Sequence, residues 1–406
     1  MVVSAGLILV VTLAIAVLTF KFMVLLAPHP ADVDFGVFYT AGWMLRHGQD
    51  PYSTGLFVYV PWFGVLMVPF TLLPFWVAYG LWDALMFISL AAASYRWARA
   101  LGWQLPGVAA GVAAFSTIAF FNYDLGQVAI LSVGFLVAVL LAIETDRLGW
   151  AGALSMAGSL LLPQDLWPLV PLLWVVSKAK DRAGLRQVLT GQAIALVVLV
   201  GGPLLIRAGL LSAWFDALFH FGVHQQLQGE LVGLSGLVIF APTSWHLGAG
   251  LGDPLVDLVA FAGVAVATVL VVQLLRSPGL AGLSPTRRAG WLLLLPLGIW
   301  LIATPYGHVQ DVAAIFPLAM LALGPGAAGL RKPGGWVALL SVLVVPVALN
   351  VFSPYFFPKQ TLAPLGLLAL VILAGLQLRR ELAEAGLGEA AAARDGVVAA
   401  ISVGRL

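Results

Sequence analysis

Of 406 residues, 61% are hydrophobic and 9% charged, against roughly 25% charged in a soluble globular domain, which marks a polytopic membrane protein. The net charge of +2, from 20 basic and 18 acidic side chains, argues for no nucleic-acid partner and leaves the placement of the charges as the informative quantity. With no cysteine, disulfides, thiolate-ligated metals and a thiol nucleophile are excluded.

In chain order, Met1 to Ala27 lacks a basic leader and is apolar for longer than a signal peptide, so it reads as an uncleaved first helix with Lys21 inside it. Next comes "DVDFGVFYTAGWMLRHGQDPY", Asp32 to Tyr52. As a helix from about Phe35 it aligns Gly36, Thr40, Trp43 and His47 on one stripe with mostly apolar residues elsewhere, the pattern of a helix lying at an interface. Asp32 and Asp34 then precede its N-terminus. One Asp suffices to cap a helix; a second, beside a proline-rich apolar segment, makes the pair a candidate site. "DVD" also matches the Asp-x-Asp that holds a metal diphosphate in soluble nucleotide-sugar transferases, but this loop is assigned to a face where nucleotide-activated donors are not expected. No metal or cofactor is expected.

The following segment, "YVPWFGVLMVPFTLLP" (59–74), has sixteen residues and three prolines and reads as an interfacial or re-entrant helix. Spans are expected near 4–27, 75–95, 106–121, 127–144, 149–163, 166–177, 187–206, 255–275, 290–303, 311–328, 335–352 and 361–378, an all-α bundle of about twelve transmembrane helices. Arg96/Arg99, Arg147, Lys178/Lys180/Arg182/Arg186, Arg276/Arg287/Arg288, Arg331/Lys332 and Arg379/Arg380 all fall at alternate ends, which puts both termini in the cytoplasm. Counting 59–74 as a span would reverse every later loop. The membrane domain is expected over 1–378, with a first outer loop at 28–74 and a long outer segment at 207–253, followed by a cytoplasmic tail at 379–406.

The outer face then collects the polar residues. Asn122, Asp124 and Gln127 in "FNYDLGQ" either line a polar cavity or satisfy a turn, and Gln164 and Asp165 in "PQD", the tip of a helical hairpin, carry the same alternatives. Asp216, His220 and His224 in "DALFHFGVH" are spaced like a metal stripe and also like an amphipathic interfacial helix. His308, between Thr304 and Asp311 in a loop opening a helix, suits either an anionic group or a turn.

Several of these stretches, in this order, resemble glycosyltransferase family 87 of the GT-C superfamily. "DFGVFYTAGWMLRHGQDPY" with "YVPWFGVLMVPFTLLP" is similar to its D-F-x-V-Y-Y-x-A…L-x-G-x-x-P-Y and Y-P-P…P-L-A-L-L-P signature. "GQVAILSVGFLVAVLLA" is similar to its Gly-Gln-led helix, "LLPQDLWPLVPLLWVVSKAKDR" to its K-P-Q-P helix pair, and "TPYGHVQDVAAIFPLAM" to its S-P…Y-D-L…P-L segment. The resemblance implies a GT-C-like bundle that transfers mannose or another hexose from a polyprenyl-phosphate carrier to a lipid or glycan hydroxyl on the outer face of the plasma membrane. The family's catalytic aspartate maps onto Asp34; Asp32, Tyr39, Arg46, Tyr52, Asn122, Gln127, Gln164, Asp165, His308 and Asp311 are the candidate substrate contacts. Leu162 stands where the family pattern carries Lys, leaving the donor phosphate to Arg46, Arg207, His308 or Lys359, and Gln310 replaces the family's Tyr.

The location of the site leads the same way. An outward-facing enzyme has no nucleotide sugars or ATP, so its donor must arrive activated and membrane-borne. The expected step is an inverting displacement with an aspartate general base and cationic groups at the departing phosphate. The rival reading is a transporter or flippase of a lipid-linked sugar, a class that tends to show paired repeats and midplane ionisable residues.

Overall fold

The computed structural model describes residues 33–162, 166–220, 252–304, 309–323 and 367–386, and among these every regular element is helical. The described chain opens with helix α1, Asp34–Arg46, in the segment expected as the first outer loop. Phe35, Gly36, Phe38, Ala41 and Gly42 form its buried face, while Thr40, Trp43 and His47 of the expected stripe are exposed. Gly42 is required by close approach: a Cβ there would lie 2.8 Å from the Met67 backbone carbonyl carbon.

The chain then makes a 3-10 turn at Pro51–Thr54, where the Asp50 carboxylate accepts the Tyr52 N–H at 3.0 Å. Helix α2, Pro61–Met67, follows and tightens into a 3-10 turn at Val68–Leu72. Its prolines explain the shape, since Pro61 presets the first turn, Pro69 removes a donor and Pro74 precedes the next helix. At this length the segment falls well short of the ~20 residues needed to cross a bilayer.

Helix α3, Phe75–Ala100, is one of three described helices long and apolar enough to span, with Arg182–Leu204 and Leu258–Leu275. The single span expected at 106–121 is instead two helices, α4 (Pro106–Ala114) and α5 (Thr117–Leu125). The break falls at Phe115–Ser116 because the Ser116 hydroxyl accepts the Ala119 N–H at 3.1 Å and caps a new helix. Helices α6 (Ala129–Glu144), α7 (Leu148–Leu161), α8 (Leu169–Lys180) and α9 (Arg182–Leu196) follow, the last extended by a π turn at Val197–Gly201. Helices α7 and α9 approach closely through Gly152 and Gly191, where any Cβ would collide with the facing backbone, the small-residue packing that membrane helices favour.

Helix α10 is Leu210–His220, α11 is Gly252–Leu275 and α12 is Pro285–Ala303. The helix expected at 311–328 begins as a 3-10 helix at Val309–Ile315 and continues as α13, Phe316–Leu323. Helix α14 occupies 367–386, so it runs past the domain boundary expected at 378. Its Glu381 ties this end of the bundle together. Glu381 accepts from Arg287 Nε at 2.9 Å, again from Arg287 Nη2, from Trp291 Nε1 at 2.9 Å and from Gln377 Nε2 at 2.9 Å. Beside it, the Thr286 hydroxyl donates to Glu144 at 2.6 Å, linking α12 to α6. The expected spans at 4–27 and 335–352 lie outside the described residues.

Candidate active site

The site is built around a corner between α5 and α6. Helix α5 ends with Gly126 in the left-handed conformation at φ 65°. The Gly126 N–H donates to the Tyr123 carbonyl at 3.0 Å and the Gln127 N–H to the Asn122 carbonyl at 2.8 Å, the pairing that closes a helix around a C-terminal glycine. Two side chains of α3 grip this corner from outside: Tyr79 Oη donates to the Tyr123 carbonyl at 2.7 Å and Trp82 Nε1 to the Gly126 carbonyl at 2.8 Å. Phe35 of α1 packs on both, with ring centroids 5.4 Å from Tyr79 and 6.0 Å from Trp82.

This arrangement sets the start of α1 against the turn after α5. The N-cap of α1 is Val33, which makes no side-chain cap bond, and Asp34 is the first helical residue. Gln127 Nε2 donates to Asp34 Oδ2. The amide's orientation follows from its other end, where Gln127 Oε1 accepts the Val128 N–H at 3.3 Å; an ionised carboxylate only accepts, so it takes the NH₂ side. The positive end of α1 also favours charge on Asp34.

Two further candidates belong to the same corner. Asn122 is fully buried, with its Nδ2 donating to the Ile118 carbonyl at 2.9 Å one turn back. Asp311 is 3% exposed and rides on the 3-10 helix that packs against both α5 and α6. Of the alternatives for Asn122 and Gln127, the turn is satisfied by their backbones, and the Gln127 side chain serves the carboxylate.

Four candidates stand elsewhere. Arg46 lies twelve residues beyond Asp34 at the far end of α1, about 18 Å along the axis at 1.5 Å per residue, and donates to the Thr71 carbonyl at 3.1 Å. Arg207 is likewise engaged at the loop, donating to the Gly48 carbonyl at 3.2 Å. Tyr39 Oη donates to the Leu73 carbonyl and Tyr52 Oη to the Tyr59 carbonyl, both at 2.8 Å, so each phenol staples the segment before α3 to itself. Burial, reinforced by the Asp50 carboxylate, pushes the Tyr52 phenol far above its ordinary range, keeping it a donor. Tyr52→Phe is expected to lower stability by about 0.5–1.5 kcal/mol and to leave the KM for donor unchanged; thermal unfolding in detergent beside steady-state assays checks both.

Asp32, Gln164, Asp165, His224, His308 and Lys359 lie outside the described residues, as do the side chains of Asp124 and His220. Among the described residues no three His, Asp or Glu side chains are grouped as a metal site would require. The residues that sequence reasoning passed over are Tyr79, Trp82 and Asp83. Asp83 lies within α3, a helix long and apolar enough to span. An acid inside an apolar span was a signal available in the sequence.

Residues 57–305, more than half of the chain, match the family model described as glycosyltransferase family 87. The match takes in Asn122 and the Gly126–Gln127 corner, begins after Asp34 and stops before His308 and Asp311. No curated protein matches the chain.

Proposed function

Given that the chain belongs to glycosyltransferase family 87 and is a membrane glycosyltransferase, we propose that it moves a hexose, mannose in the first instance, from a polyprenyl-phosphate carrier to a hydroxyl of a lipid or glycan on the outer face of the plasma membrane. The observation that carries this reading is the Asp34 carboxylate at the start of α1, fixed by Gln127 at the α5–α6 corner. A carboxylate so held suits proton abstraction from an acceptor hydroxyl.

The step is a single displacement. The acceptor oxygen attacks the anomeric carbon, its proton passes to Asp34, the bond from the anomeric carbon to the phosphate oxygen breaks, and polyprenyl phosphate departs. One displacement inverts the anomeric configuration, whereas retention by double displacement calls for a nucleophilic carboxylate and a second acid/base carboxyl about 5–5.5 Å away. Arg46, Arg207, His308 and Lys359 are the candidates for the departing phosphate; Arg46 and Arg207 each give one N–H to a loop carbonyl and carry further donors on the guanidinium. Asp32 and Asp311 are assigned to holding the sugar or acceptor, and so are Gln164 and Asp165 of the hairpin tip. Both termini are placed in the cytoplasm by the distribution of basic residues.

The test is a donor screen with purified protein in lipid. Consumption of polyprenyl-phosphate mannose but not GDP-mannose, with full activity in EDTA, is the expected result. Strict dependence on Mn²⁺ would instead favour the metal-binding reading of "DVD", and consumption of neither donor would return the transporter reading.

A further inference from the structure

We infer that Gln127 is a positioning residue for the reaction, acting through the Asp34 carboxylate rather than on the substrate. The inference rests on the reading of Asp34 as general base. It starts from how little freedom the Gln127 amide has. Its backbone is set by the left-handed Gly126 and by the bond from its own N–H to the Asn122 carbonyl. Its Oε1 is taken by the Val128 N–H, and the residue is 6% exposed. The Nε2 that remains is directed at Asp34 Oδ2.

A carboxylate used as a base needs its plane fixed, because the proton must arrive along a lone-pair direction. A donor on one oxygen supplies that and also favours the ionised form that accepts the proton. The titratable and charged groups on the elements around this corner are Tyr39 and Arg46 on α1 with His47 just after it, Tyr79, Asp83, Tyr95, Arg96 and Arg99 on α3, Tyr123 and Asp124 on α5, Glu144 on α6 and Asp311 on the 3-10 helix. Arg46 and His47 are at the distant end of α1, Tyr95, Arg96 and Arg99 at the end of α3 away from Tyr79 and Trp82, and Glu144 at the end of α6 away from Gln127. Asp83, Asp124 and Asp311 can bear the same sign as Asp34, and the Gln127 donor on Asp34 Oδ2 works in the opposite direction.

The experiment compares full-length wild type, Gln127→Ala, Gln127→Glu and Asp34→Asn in lipid, with kcat and KM measured across pH at varied polyprenyl-phosphate mannose. Gln127→Ala is expected to lower kcat about ten- to hundred-fold, the worth of a hydrogen bond to a charged group, with KM for donor moved by less than about two-fold. Gln127→Glu, nearly isosteric, places a second carboxyl against the first, and the pair holds one proton to higher pH. The acid limb of its kcat profile should therefore move up by about one pH unit or more. A raised KM with intact kcat would show the amide touching substrate and overturn the inference, as would an unmoved acid limb in Gln127→Glu. Asp34→Asn separates the two levels: if it is inactive while the Gln127→Glu limb stays put, this inference alone falls; if it transfers sugar at the wild-type rate, the base assignment falls and takes the inference with it.

Discussion

Asp34→Asn is expected to lower sugar transfer by about 10²- to 10⁴-fold, the usual worth of a general base. The substitution keeps shape and removes only the capacity to accept a proton, so expression, unfolding temperature and donor binding should stay close to wild type. Single-turnover transfer with donor binding measured separately makes the distinction. Asp32→Asn provides the comparison, with an expected cost of about 0.5–2 kcal/mol in stability if that residue steadies the loop. Should Asp32→Asn be inactive and Asp34→Asn active, the base is the other carboxylate; if both are active, the stretch from Asp32 to Tyr52 serves only to anchor the protein at the membrane surface.

Gly126→Ala is expected to damage both fold and activity, although it adds a single methyl group. At φ 65° a side chain costs roughly 1–2 kcal/mol. The added Cβ would also lie 2.5 Å from Phe35 Cβ and 3.0 Å from the Tyr79 ring, and such overpacking costs typically about 1–3 kcal/mol. The combined loss is about 2–5 kcal/mol, read as a lowered unfolding midpoint in detergent. The direction of relief matters more than the sum. The strain is eased by moving α1 off the corner, which parts Asp34 from Gln127, so surviving folded protein should transfer slowly even at low temperature. Gly48→Ala and Gly55→Ala have the same kind of backbone, φ 70° at each, but an added Cβ meets nothing within 4 Å. Their cost should stop at the backbone contribution with activity retained.

The helical class followed from composition, and α1, α2 and α3 came from local rules: an amphipathic stretch, three prolines and a long apolar run. What escaped notice was the relation between separated parts. Gln127 stood out as a polar residue after a glycine, but nothing in its neighbourhood indicates a partner 93 positions away. The aromatics show the same limit. Tyr39 and Tyr52 sit among loop residues where a phenol suits a sugar equally well, and only the course of the backbone reveals the carbonyls of Leu73 and Tyr59 waiting for them. Arg46 stands twelve residues beyond Asp34, and the helix carries it about 18 Å along the axis, to the Thr71 carbonyl. The break between α4 and α5 was readable in principle, since Ser116 is a good cap, but a run of apolar residues on both sides hid it.

The contact between Arg287 and Glu381 also has a history in time. The two are 94 positions apart, and a ribosome adding about 5–20 residues per second needs roughly 5–20 s to cover that distance. Throughout that interval Arg287, at the start of α12, has been made and its carboxylate has not. The guanidinium, 16% exposed once the pair has formed, must therefore stay in water or among lipid headgroups until the last helix arrives. Closure of this end of the bundle is consequently a late event in biogenesis, and a nascent chain halted before Glu381 would present an unneutralised cation to the quality-control machinery of the membrane.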